Sequence, residues 1–347
     1  MKTLNVGIIG YGLSGRFFHG AIIGATPGFE VKKIVTSDLE KRAQALEDFP
    51  SVKVVRAATE VFVDESIDLV IIAAPNAKHA ELAETAMRSG KHVVVEKPFT
   101  VSTEEADYLI AVSKEVGKCI TVYHNRRFDS DYRTVKALMA TDKLGRIVEY
   151  EARYDRFRPT LKEHAWKEKA LPGGGILYDL GSHLIDQALD LFGKPEEVYG
   201  DVRALRRGET DDSFEVILYY PEIKVTLKSS MLVKEPSLRF ALYGTAGSYT
   251  KYGVDVQEDA LRNGERPGGE QWGVEPRGLW GTVDSMETKQ KVRSLKGDYR
   301  DYYRNLYDHI VRGAELIVTA EDGRNVIAVI EAAYRSNSEK RRISIEW

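Results

Sequence analysis

The sequence predicts an α/β protein of two domains. The first is a parallel sheet with helices on both faces. The second is an α/β domain around a mostly antiparallel open sheet. Three observations carry this. Short β-branched runs alternate with helix-like stretches up to about residue 124. Past Asn125 the pattern changes to successive strand-like runs joined by tight turns. The length, 347 residues, suits two domains at roughly 100–200 residues each. The expected domains are 1–124 and 125–347.

The first series of strands is Leu4 to Ile9, Val31 to Thr36, a short run at Val52 to Val55, Leu69 to Ala73, His92 to Val95 and Cys119 to Tyr123. Leu69 to Ala73 is nearly all apolar, as a strand buried on both faces should be. Helical spacing is clearest at Ala80–Ser89 and Thr103–Val116. In the second series a helix at Ser130–Thr141 leads into a long strand at Ile147–Phe157. A glycine triplet and a helix at Tyr178–Leu191 follow. Four strands come next, at Val198–Leu205, Ser213–Tyr220, Lys224–Leu232 and Leu238–Tyr243. Gly264 to Gly281, rich in Gly, Pro and Trp, reads as a long irregular loop. Two helices, near Tyr299–Val311 and Glu321–Glu339, come last and are free to pack back on the first domain.

Composition excludes several classes. Apolar residues make up 43% and charged residues 30%, the balance of a globular protein. Fifty basic against 53 acidic residues give a net charge of -3, too near neutral for a dedicated nucleic-acid binder. The single cysteine, Cys119, rules out an internal disulfide framework and any site needing several thiolates. No apolar run approaches the roughly 18 residues that span a bilayer. Met1 to Val6 lacks a signal peptide's apolar core, so a cytoplasmic protein is expected.

Gly10-Tyr11-Gly12-Leu13-Ser14-Gly15 is G-x-G-x-x-G, set between the first strand and a helical stretch. The first glycine permits the tight turn, the second lets a pyrophosphate approach the backbone, and the third allows close helix–strand packing. The helix N-terminus offers donors to the anion. Dinucleotide binding is the expectation, over a plain strand–helix turn.

The end of the second strand discriminates between dinucleotides. A carboxylate there accepts from the ribose 2′-hydroxyl of NAD, and a cation without that carboxylate suits NADP. The segment runs Thr36-Ser37-Asp38-Leu39-Glu40-Lys41-Arg42. With Ser37 at the discriminating position, and Lys41 or Arg42 a turn later, NADP is preferred. With Asp38 there, NAD is favoured. Asp38 as a mere helix cap is the third reading.

Glu96-Lys97-Pro98 follows the fifth strand, at the carboxyl end of the sheet where ligands bind in such folds. Gly173-Gly174-Gly175 precedes Asp179 and His183, which a helix places on one face, one turn apart. Histidine accepts protons near neutral pH, and a carboxylate one turn away orients it. The same pair is also half of a metal site, but no further ligand follows at suitable spacing, so no metal is expected.

Together these motifs resemble the Gfo/Idh/MocA family of NAD(P)-dependent oxidoreductases over nearly the whole chain. The resemblance rests on the glycine loop, on Ala74-Pro75-Asn76 with His79, and on Glu96-Lys97-Pro98. It continues through Asn125-Arg126-Arg127-Phe128, Trp166, and Asp179 with His183. It implies a Rossmann first domain and a second domain whose open sheet often forms the oligomer interface, hence a homodimer or homotetramer. It implies that His183 moves the hydroxyl proton, Lys97 holds the reacting oxygen, and Asp179 positions the histidine or binds a neighbouring hydroxyl. Ala74, Pro75, Asn76, His79, Glu96 and Asn125 would line the cofactor with Leu13 and Ser14.

Arg16-Phe17-Phe18-His19, Tyr154 to Pro159, Trp272-Gly273-Val274 and Leu279-Trp280-Gly281 are similar to NADP-dependent scyllo-inositol dehydrogenases. Arg127, Asp155, Arg156 and Trp166 are then candidate substrate groups beside Lys97, Asp179 and His183. The expected reaction interconverts a cyclic polyol or sugar hydroxyl and its ketone with NADP(H). The rival readings are an aldose or keto-sugar dehydrogenase, a glycosidase that retains its cofactor, and a non-catalytic dinucleotide sensor.

Overall fold

The computed structural model describes residues 2–161 and 168–347. The chain forms two compact units. The first comprises Met1–Phe128, Gln257–Trp272 and Asp298–Arg324. The second comprises Asp129–Val256, Gly273–Gly297 and Asn325–Trp347. A single cut at 124/125 therefore separates pieces that fold together, because 257–272 and 298–324 return to the first unit.

The first unit runs β1 (Leu4–Ile9), a π-helix (Ser14–Gly20) continuing as α1 (Ala21–Gly24), β2 (Phe29–Val35), α2 (Leu39–Asp48), β3 (Lys53–Val55) and α3 (Thr59–Phe62). It goes on with β4 (Leu69–Ile72), α4 (His79–Arg88), β5 (His92–Val95), α5 (Thr103–Val116) and β6 (Ile120–Val122). The strand order is β3-β2-β1-β4-β5-β6, and every pairing is parallel. This is a Rossmann sheet, with its order reversing between β1 and β4.

The four residues of β4 are fully buried, and their alternation divides them between two cores. Leu69 and Ile71 join one apolar cluster, while Val70 and Ile72 join the other. Side chains on both faces meet helices, which is why this strand has no polar alternation. The first cluster is completed by late residues: Leu261, Trp272, Tyr299, Tyr302, Tyr303 and Leu306.

The second unit begins with α6 (Ser130–Met139) and β7 (Ile147–Arg153). A π-helix (Leu177–Gly181) continues as α7 (Ser182–Phe192). Then come β8 (Glu197–Arg203), β9 (Ser213–Tyr219), β10 (Lys224–Ser230), β11 (Leu238–Gly244) and β12 (Gly247–Tyr252). The short α8 (Gln257–Arg262) belongs to the first unit. β13 (Thr282–Ser285) and β14 (Lys289–Lys291) return to the second, and α9 (Arg300–Arg312) to the first. α10 (Ala320–Glu339) and β15 (Ile343–Ser344) follow.

The nine-stranded sheet is ordered β14-β13-β12-β11-β7-β10-β9-β8-β15. Only β7 and β10 pair in parallel. The four strands that the sequence pattern did not reveal are β12 to β15. β14 is Lys-Gln-Lys, exposed throughout, and its two lysines blunt an edge. Along β9, buried and half-buried residues alternate strictly. One face of the sheet packs on an apolar core shared with α6, α7 and α10, and the other stays polar.

Candidate active site

In the first unit, the three glycines of the loop have different reasons to lack a side chain. Gly10 has φ +93°, and a Cβ there would lie 2.4 Å from the Ala73 carbonyl oxygen. A Cβ on Gly15 would fall 2.0 Å from the Gly10 oxygen. A Cβ on Gly12 would meet nothing within 4 Å. Two glycines therefore close the turn, and the middle one leaves open the approach a pyrophosphate needs. The helix after this loop begins in π-helical form at Ser14, a rare geometry that is frequent at functional sites. The residues present fit a dinucleotide.

β2 ends at Val35, one residue earlier than the sequence pattern indicated. Thr36 and Ser37, both neutral hydroxyls, come next. Asp38 is the N-cap of α2: its Oδ1 accepts from the backbone N–H of Glu40 at 2.9 Å and of Lys41 at 3.1 Å. Lys41 Nζ sits 3.3 Å from Asp38 Oδ2. Asp38 Oδ1 is thus engaged as a helix cap. The Thr36 N–H donates to the Val55 oxygen, which brings Ser37 and the exposed Arg56 to adjacent strand ends. Arg56 is a cation that the sequence reading missed, because it lies nineteen residues further on and only strand pairing reveals the proximity.

Past β4, Ala74 and Pro75 lead into a 3-10 turn at Asn76–Lys78. His79 is fully buried, with Nδ1 2.9 Å from the Pro98 oxygen and Nε2 3.0 Å from the Ala74 oxygen. It links the loop after β4 to the loop after β5. Past β5, Glu96 is buried, Lys97 is half-buried, and the Lys97–Pro98 peptide is cis. Ser14 Oγ donates to Glu96 Oε1, and His19 Nε2 lies 3.4 Å from the same oxygen. Burial pushes the Glu96 carboxyl up. The His19 contact, the Lys97 charge and the Ser14 hydroxyl more than offset this and hold it at about 2, so it is ionised at neutral pH. Asn125 and Arg127 are buried in a 3-10 turn after β6. The Arg127 guanidinium donates to the Ile317 oxygen at 2.9 Å and meets Asp322 at 3.4 Å. These contacts anchor the segment leading into α10 within this unit.

In the second unit, Gly173 and Gly175 have φ of +74° and +89°. The π-helix that follows carries Asp179 and runs into α7, which carries His183. Four residues along this continuous helix still bring Asp179 and His183 to one face. His183 is 5% exposed and Asp179 half-buried. Asp211 fixes the start of this segment. Its Oδ2 accepts from the Leu177 N–H at 2.8 Å, and its Oδ1 accepts from the Tyr334 hydroxyl at 2.6 Å. Burial raises the Asp211 carboxyl despite these donors. Tyr178 stacks on Tyr334 with centroids 6.0 Å apart. No sequence signal marked Asp211, which lies in the connection between β8 and β9.

Asp155 lies elsewhere. Tyr150, Ala152 and Tyr154 point into the core, so the odd positions Glu151, Arg153 and Asp155 face the polar side of the sheet, away from α7. The Asp155 carboxylate accepts from Arg153 Nε at 3.0 Å, the Ser230 N–H at 2.9 Å and Ser237 Oγ at 2.6 Å. It joins the ends of β7 and β10. Arg156 lies over the Tyr154 ring, 5.5 Å from its centroid. Trp166, a further substrate candidate, lies outside the described residues.

Two family models match the chain. "Oxidoreductase family, NAD-binding Rossmann fold" covers residues 4–124. "Oxidoreductase family, C-terminal alpha/beta domain" covers 136–345. Among curated relatives, the scyllo-inositol 2-dehydrogenase (NADP(+)) of Bacillus subtilis (strain 168) is 41% identical over 100% of this chain and 97% of its own. An uncharacterized oxidoreductase of Escherichia coli (strain K12) is 40% identical over 99% of each chain. A solved structure from Bacillus subtilis in triclinic form superposes with a TM-score of 0.95 at 40% identity, over 99% of each chain. Fold, motifs and relatives define an NAD(P)-dependent dehydrogenase acting on CH–OH groups. The chain belongs to the Gfo/Idh/MocA family.

Proposed function

We propose that this dehydrogenase uses NADP(H) to interconvert a hydroxyl of a cyclic polyol and its ketone, with scyllo-inositol and its inosose as the substrate pair. The observation that carries the reading is the Lys97, Asp179 and His183 set in a chain whose glycine loop leaves Gly12 open to a pyrophosphate. The named Bacillus subtilis relative supports the substrate class. Ser37 past β2, with Asp38 engaged as a helix cap and Arg56, Lys41 and Arg42 nearby in the fold or sequence, supports NADP over NAD.

When bound, the nicotinamide accepts or returns the hydride. Gly10, Gly12, Leu13, Ser14 and Gly15 hold its pyrophosphate at the helix N-terminus. Pro75, Asn76, Glu96 and Asn125 line the ribose and nicotinamide, and His79 fixes the two loops that carry Pro75 and Glu96. His183 Nε2 or Nδ1 takes the hydroxyl proton during oxidation and gives it back during reduction. Asp179 orients the imidazole and favours its charged form. Lys97 donates to the reacting oxygen and stabilises its developing negative charge.

His183→Ala should lower kcat by about 100-fold or more while NADPH binding, read by fluorescence, stays near wild type. Wild-type turnover in that variant would refute the proton assignment. A screen of inositols and aldoses with NADP+ and NAD+, followed at the reduced nicotinamide absorbance, tests substrate and cofactor together. Preference for an acyclic or aldose substrate would move the reading to the aldose dehydrogenases of the same fold.

A further inference from the structure

The first helix carries a motif, Arg16-Phe17-Phe18-His19, that the reaction as proposed leaves unused. Its histidine is wholly buried inside the first unit. On one side, His19 Nδ1 lies 2.6 Å from the Tyr303 hydroxyl of α9. On the other, Nε2 lies 3.4 Å from Glu96 Oε1. The Tyr123 ring covers its face with centroids 4.3 Å apart. Nε2 is buried without a hydrogen bond, and the carboxylate oxygen at 3.4 Å is the charged group that faces it. The phenol of Tyr303 either donates to Nδ1 or accepts from it. The ring is thus held between a fixed phenol and an ionised acid, and cannot rotate without losing one of them.

Glu96 is the hub. The oxygen that faces His19 also accepts from Ser14 Oγ, the first residue of the π-helix behind the glycine loop. The residue after Glu96 is Lys97. One buried carboxylate therefore joins the pyrophosphate-binding turn to the loop bearing the lysine. A buried charge of this kind needs a matched partner on its protein side, or its oxygen and the hydroxyl it orients drift.

We infer that His19 is a positioning residue for cofactor binding: through Glu96 it fixes the Ser14 hydroxyl and the Lys97 loop in the geometry that a dinucleotide meets. The inference rests on the dehydrogenase reading above. It makes Tyr303, nearly three hundred residues away in sequence, part of the same support.

The test compares His19→Leu, His19→Gln, Glu96→Gln and Tyr303→Phe in the full chain. Readouts are NADPH dissociation constants by fluorescence and separate KM values for NADP+ and polyol. His19→Leu and Glu96→Gln should each weaken NADPH binding and raise KM for NADP+ by about tenfold, the scale of one charge-assisted hydrogen bond. KM for polyol should rise by less than KM for NADP+, because of the two arms held by Glu96 only the Lys97 loop reaches substrate. His19→Gln, whose amide N–H reaches towards the Nε2 position, should restore most of the affinity, and Tyr303→Phe should show a smaller loss of the same kind. A merely structural role would lower the melting temperature and leave the KM for NADP+ in place, and that result overturns the inference. If His19→Leu fails to fold, Glu96→Gln decides: unchanged NADPH affinity there overturns it equally. Wild-type protein that bound neither dinucleotide would overturn the dehydrogenase reading first, and this inference with it.

Discussion

At the scale of single residues, the chemistry was partly legible and partly not. Gly10, Gly12 and Gly15 were readable because the demand on them is local: two lack room for a Cβ, and the third needs open space. Asp38 was ambiguous because one residue of strand register changes its meaning, and β2 stops at Val35. Its carboxylate caps α2, a local bond that competes with any ribose contact. A cofactor prediction follows. Ser37→Asp places a new carboxylate next to the site assigned to the 2′-phosphate, and like charges at that distance repel. The ratio of kcat/KM for NADP+ over NAD+ should fall at least about tenfold. An unchanged ratio would assign discrimination to other groups. Arg56, Asp211 and the Glu96–His19 contact had no sequence signal, because each pairs residues that only the folded chain brings together.

At the scale of elements, the helix behind the glycine loop and the helix that bears Asp179 and His183 both begin with π-helical turns, Ser14–Gly20 and Leu177–Gly181. Apolar periodicity finds a helix in such a stretch but cannot tell i→i+5 from i→i+4 bonding. The start of the second depends on Gly175, whose φ is +89° and whose missing Cβ would lie 1.9 Å from Asp211 Oδ1. Gly175→Ala must adopt an unfavourable backbone angle and also push away the carboxylate that receives the Leu177 N–H. The expected cost is about 3 kcal/mol of stability, read as a lowered denaturation midpoint, with kcat reduced more than the KM for NADP+. A neutral effect on both would mean that this turn does not position Asp179 and His183. Strands β1 to β11 were visible as apolar or alternating runs. β12 to β15 were hidden because they are short or rich in Gly, Ser, Lys and Gln, residues whose pattern carries little strand signal.

At the scale of the whole molecule, no described helix is long and apolar enough to cross a membrane. The sequence correctly revealed a change of architecture near residue 125, since strand grammar is a regional property. It did not reveal that the units interleave, since membership depends on contacts distant in sequence. Tyr299, Tyr302, Tyr303, Leu306 and Val318 are buried in the apolar cluster of the first unit together with Val6, Ile34 and Leu69. A chain ended at residue 124 leaves that cluster uncovered. It should show no cooperative thermal transition, bind a hydrophobic dye and fail to bind NADPH. Cooperative unfolding with intact NADPH affinity would show the first 124 residues to be self-sufficient.

The buried seat of Tyr303 beside His19 also sets an order of events during synthesis. Ribosomes emit the Rossmann strands first, yet the phenol beside His19 arrives only after eight of the nine strands of the second sheet, β7 to β14, have been made. The nascent first unit must wait with an apolar face open, and neither half matures before the other. On the inference that Tyr303 supports the cofactor loop, chains that end before it should hold dinucleotide poorly.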